Sequence, residues 1–132
     1  MRLPSFPVQF HSSLFSGQAM FVPASGDWKH CLGQSFEVEI DQEKVTGFKV
    51  LETSSLLAPL ITAITETGDF QVFGTVIVVA SIAEPDGEQI ITVKAGDAHF
   101  TFPKSELQIS RLSEGDAVAF TVHEMSLWDT AI

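Results

Sequence analysis

Apolar and polar positions alternate with a period of two along most of this chain, and short polar or glycine-bearing clusters interrupt the alternation. This is the pattern of antiparallel strands with one face on a core and one in water. The clearest case is Phe36-Glu37-Val38-Glu39-Ile40, in which Phe36, Val38 and Ile40 fall on one side and the glutamates on the other. Asp41-Gln42-Glu43-Lys44 is short and polar, and the stretch from Val45 to Leu51 is apolar again. Residues 35–51 are therefore expected to form a β-hairpin.

A second unit opens at Phe70. Val72 to Val79 is apolar on both faces, as a covered central strand must be, and Gly74 within it predicts a bend or bulge. Glu84-Pro85-Asp86-Gly87 carries turn residues, and Gln89 to Lys94 is the expected return strand. After the turn at Ala95-Gly96-Asp97, Phe100 and Phe102 share one face of the next strand, while Asp97, His99 and Thr101 share the other. Val118, Phe120 and Val122 alternate through a final strand. Pro59 interrupts the one helix-like start, at Ser54 to Ala58, and the β-branched run from Ile61 to Thr65 reads equally as strand.

The expected fold class is thus all-β: an antiparallel β-barrel or a closely packed β-sandwich, OB-like, over residues 1–132 as a single domain. An internal repeat is a further option. Gly17 to Val22 answers to Gly74 to Val79, and each is followed by a hairpin, which divides the chain into units 17–73 and 74–126.

Residues 72–129 also resemble a TOBE-type module, a small OB-like β-barrel. Gly74-Thr75-Val76 matches its opening strand, and Phe100 to Leu107 matches its middle strand and connection. Leu112-Ser113-Glu114-Gly115-Asp116-Ala117-Val118 matches its closing turn and strand, and Val122 to Asp129 its terminal edge. The resemblance implies a ligand or oxyanion held by backbone amides and hydroxyls, with Lys104 and Ser105 near the matching position. Residues 1–16 have no counterpart in the module.

Composition narrows the function classes. Lys and Arg number 7 against 17 Asp and Glu, for a net charge of −10, and the bases are scattered. No nucleic acid is expected as a partner. A single cysteine, Cys31, forms no internal disulfide. The prolines and polar residues among the first eleven positions prevent a signal-type apolar run, and no segment has the ~18 apolar residues of a membrane helix. A cytoplasmic protein with no membrane association is expected.

The chemistry-bearing residues form no familiar site. The histidines His11, His30, His99 and His123 lack the close spacing of zinc ligands. Asp97 and His99 share a strand face, and His123 from a neighbouring final strand would complete three ligands. Adjacent His30 and Cys31 point oppositely on an extended chain, Glu37 and Glu39 suit a solubilising strand face, and no phosphate loop is present. Trp28 and Trp128 lie beside a loop or terminus, where they cover a barrel end or line a shallow ligand site. Phe6, Phe10, Phe15 and Phe21 are expected to pack the N-terminal arm onto the barrel or onto another subunit.

These observations favour a non-catalytic binding module for a small ligand or a protein partner. Asp97, His99, His123 and Trp128 are its candidate ligand-binding residues, and it is assigned no catalytic residue, metal or cofactor. Homo-oligomerisation is compatible with this reading. One alternative is an acidic inhibitor or immunity-type protein that captures a basic enzyme, and another is a metal-dependent enzyme built on Asp97, His99 and His123.

Overall fold

In the computed structural model, which describes residues 5–12, 14–23, 33, 37–52, 60–65, 68–81, 89–107, 109 and 111–129, alternation becomes strand throughout. The strands are β1 (Phe6–His11), β2 (Ser16–Val22), β3 (Val38–Asp41), β4 (Lys44–Val50), β5 (Ile61–Ala63), β6 (Phe70–Ser81), β7 (Gln89–Ala95), β8 (Ala98–Pro103), β9 (Ala117–His123) and β10 (Ser126–Asp129). A 3-10 turn, Lys104–Glu106, follows β8 where Pro103 ends the strand. The expectations placed on Trp28, His30, Cys31, Phe36, residues 53–59 and the turn at 84–87 lie outside the described residues.

Two sheets pack together. One is four-stranded, in the order β1-β2-β10-β3, and the other is six-stranded, in the order β4-β9-β6-β7-β8 with β5 beside β6. All pairs are antiparallel except β2 with β10. The sheets do not close into a barrel, so of the two all-β arrangements expected the sandwich describes the molecule. β6 is central in its sheet as expected, but it is not covered on both faces, because Ile77 and Val78 are exposed. It lies between β9 along Phe70 to Thr75 and β7 along Thr75 to Ser81.

Phe70, Val72, Val76, Val93, Phe100, Phe120 and Val122 are buried in the core between the sheets. Of the early phenylalanines, Phe21 is part of it, and Phe10 and Phe15 pack against it from β1 and the turn that follows. Phe10 and Phe15 each pack a ring on Phe70, at centroid distances of 6.0 and 5.4 Å. On this scale such ring pairs add about 0.5–1.5 kcal/mol beyond the burial of their area.

Residues 35–51 do not make the expected hairpin. β3 pairs with β10 and β4 pairs with β9, in different sheets. A two-residue reversal needs positive φ of the kind Asn-Gly provides, and Gln42-Glu43 lacks it. The chain instead bends and runs on. β9 and β10 bend at the same level, so Asp41 faces Ser126 on one side of the bend and Lys44 faces His123 on the other. This paired corner joins the two sheets.

Candidate functional site

β3 and β8 are the last strands of their respective sheets, and they approach one another without forming a ladder. Between them runs an open groove of about 760 Å³, lined along β3 by Val38 to Asp41, along the other wall by Asp97, Ala98, His99 and Thr101, and by Trp128 of β10. Gln42 bridges the walls by donating its Nε2 to the Thr101 carbonyl at 3.2 Å. The Oε1 of the same amide is buried and has no donor among the described residues.

The strand pattern explains the lining. Ala98, Phe100 and Phe102 face the core, which leaves His99 and Thr101 exposed on the outer face of β8. Val38 and Ile40 pack against the core cluster, which turns Glu39 and Asp41 outward on β3. Trp128 is directly across from Glu39 in the β3–β10 ladder, so the two side chains share a face. The indole donates its Nε1 hydrogen to Ser126 Oγ at 3.0 Å, which fixes the ring's tilt.

Three of the four candidate residues, Asp97, His99 and Trp128, therefore line one groove. His123 does not join them, because β6 and β7 separate β9 from β8. It sits at the corner instead, with Nε2 at 2.7 Å from Thr46 Oγ1 and Nδ1 at 3.6 Å from Asp69 Oδ1. The three-ligand set of Asp97, His99 and His123 is thus not assembled, and no three His, Cys, Asp or Glu side chains among the described residues group to hold a metal ion. Lys104 and Ser105 belong to the 3-10 turn and do not line the groove.

Glu39, expected to serve a solubilising strand face, and Asp41, expected in a hairpin turn, also line the groove. Their signal was the same period-two alternation that marks β3, which puts both carboxylates on one face about 7 Å apart. With Asp97 opposite, the groove offers carboxylate oxygens and an aromatic ring. The carboxylates of Glu39 and Asp97 make no hydrogen bond or ion pair among the described residues, and Asp41 Oδ1 accepts the neighbouring Gln42 N–H, at 2.9 Å. Lys94 is directly across from His99 in the β7–β8 ladder and forms no ion pair among the described residues.

Among the described residues no helix is long and apolar enough to cross a membrane. No protein-family model, curated protein or solved structure matches this chain.

Proposed function

We propose that this chain is a non-catalytic binding module and that the groove between β3 and β8 receives its ligand or partner. One observation carries the reading: Asp97, His99 and Trp128, from separate parts of the sequence, line one groove together with Glu39 and Asp41. That set consists of carboxylate acceptors, an imidazole and an aromatic face, which suits recognition. The hydroxyl that does touch an imidazole, Thr46 Oγ1 at 2.7 Å from His123 Nε2, lies at the corner and outside the groove. The TOBE-like layout of residues 72–129 fits the same reading. The single cysteine and the net charge of −10 fit a cytoplasmic setting.

The test is native mass spectrometry of the protein purified gently from its native host, beside the variants Trp128→Ala and Asp97→Asn. The wild type should carry an added mass, small molecule or protein, that both variants lose while keeping the wild-type melting temperature. An added mass retained undiminished by both variants would move the site elsewhere. A bare wild-type chain that also captures nothing at low salt would overturn the binding role.

A further inference from the structure

We propose that the occupant of this groove is a basic, extended segment of a protein partner, with arginine side chains two residues apart received by Glu39 and Asp41 and stacked on Trp128. The inference rests on the binding role argued above and specifies its ligand. Three features of the groove argue for it together.

The first is charge. Glu39 and Asp41 on one wall and Asp97 on the other are joined by no neutralising cation among the described residues, in a chain with 17 acidic and 7 basic residues. A cation entering the groove exchanges water for carboxylates already held at fixed spacing. His99 and, beyond it, Lys94 are the bases facing this site, and both stand on the β7–β8 side. The β3 wall is acidic alone.

The second is spacing. Glu39 and Asp41 repeat every second residue, and any segment lying extended beside β3 repeats its own side chains at the same interval of about 7 Å. Arginines at alternate positions would meet the two carboxylates in register. A helix, with its residues on one face three or four apart, would not match this spacing.

The third is the kind of surface. Both walls are strand edges, and apart from the Thr101 carbonyl taken by Gln42 such edges have unpaired backbone groups for an extended chain to meet. Trp128 lies across from Glu39, so a guanidinium bound by that carboxylate lies within reach of the indole face. A planar guanidinium uses both contacts at once, stacking on the ring while donating two hydrogen bonds, whereas an ammonium makes a point contact.

The experiment uses the full chain with Trp28→Phe, leaving Trp128 as the only indole, and three capped heptapeptides that differ only at alternate positions, holding arginine, glutamine or glutamate there. Binding is followed by Trp128 fluorescence and by amide chemical shifts. The arginine peptide should shift residues of β3 and β8 and bind at least tenfold tighter than the glutamine peptide. Its affinity should fall severalfold from low to physiological salt, as expected for partly exposed charges, and fall at least threefold in Glu39→Gln and in Asp97→Asn with the melting temperature unchanged. Equal binding of the arginine and glutamine peptides in the groove would overturn the charge inference and leave the binding role standing. If no peptide shifts groove residues while the native protein carries an adduct that depends on Trp128, the inference is likewise overturned and the ligand is a small molecule.

Discussion

Asp69 Oδ1 accepts the backbone N–H of Glu124 at 3.1 Å, at the one described non-glycine residue with a positive φ, 52°. The contact holds the bend where β9 leaves one sheet and β10 enters the other. It is reinforced by Met125 N–H donating to the Gly68 carbonyl at 2.9 Å and by Glu43 N–H donating to the His123 carbonyl at the same distance. His123, with Nδ1 at 3.6 Å from Asp69 Oδ1 and Nε2 at 2.7 Å from Thr46 Oγ1, ties β4 and the start of β6 to that bend.

Removing the carboxylate should therefore loosen the corner. Asp69→Ala is expected to cost about 1 kcal/mol in urea unfolding, the usual net value of a hydrogen bond with partial solvent access. Asp69→Asn keeps an oxygen for the Glu124 N–H and should cost clearly less. Equal losses in the two variants would show that the charge near His123, and not the bond to Glu124, is what matters.

The conformation of Glu124 itself yields a prediction of opposite sign. A left-handed residue with a Cβ is strained by about 1–2 kcal/mol, and glycine gives back part of the relief through its freer unfolded chain. Glu124→Gly should thus stabilise by roughly 0.5–1 kcal/mol. Glu124→Val should destabilise, because a β-branched side chain is worst suited to this region. A melting temperature lower for the glycine variant than for the wild type would sink this account.

Gly74 is needed for close approach, and the irregularity it predicts lies elsewhere. It pairs regularly with Val118, and the register shift of β6 against β7 falls between Val76 and Val78. A Cβ at Gly74 would stand 2.6 Å from Val93 Cγ1 and 2.8 Å from the Lys94 carbonyl oxygen. Backbone cannot retreat as a side-chain tip can, so Gly74→Ala should destabilise by about 1–3 kcal/mol, the range for overpacked cores. Unchanged thermal unfolding in this variant would mean that the two strands separate more readily than their packing implies.

How far local pattern reaches is plain from particular residues. Ala98, Phe100 and Phe102 inside, with His99 and Thr101 outside, follows from period two alone, and so does the placing of Asp97 and His99 on one side of the chain. Phe6, Val8 and Phe10 alternate just as clearly in β1, but Pro7 made that stretch read as an arm. An edge strand tolerates proline, because one row of its N–H groups is unpaired in any case. Pairing is a different matter. Alternation says which face of β3 is buried and is silent on whether β4 or β10 lies alongside. The hairpin expected at residues 35–51 and the placing of His123 beside His99 both failed on that ambiguity. Trp128 reaches the groove only because the corner carries β10 into the other sheet next to β3, which no local signal near Trp128 encodes.

Phe120 is the centre of the aromatic core. Its ring lies 5.6 Å from Phe48, 5.8 Å from Phe100 and 5.3 Å from Phe102, centroid to centroid. Phe48 comes from the irregular part of β4, where the register against β9 shifts between Thr46 and Lys49. Phe120→Ala should cost about 3–5 kcal/mol, as for other large-to-small changes of buried rings. Phe48→Ala should cost less, since Phe48 is only half-buried. The difference is measurable by chemical denaturation, and the reverse order would place the centre of the core on the β4 side.

The far half of β6 presents a separate hazard. Beyond Thr75 it has no β9 partner, and Ile77 and Val78 are 36% and 40% exposed. The Glu114–Asp116 turn covers part of this edge: Gly115 N–H donates to the Val76 carbonyl at 2.7 Å, Val76 N–H donates to Asp116 O at 2.9 Å, and Glu114 Oε1 accepts the Val79 N–H at 3.5 Å. An uncovered apolar edge invites pairing between chains, and a carboxylate placed on it both occupies a donor and repels another copy. Glu114→Ala should leave unfolding free energy within about 0.5 kcal/mol of wild type, as is usual for exposed positions. It should nevertheless raise light scattering on prolonged incubation at high protein concentration. Glu114→Gln keeps the acceptor and loses the charge, so an intermediate rise assigns the protection to both effects, and a rise equal to that of alanine assigns it to charge. Scattering indistinguishable from wild type in both variants would show that this edge is not where copies of the chain meet.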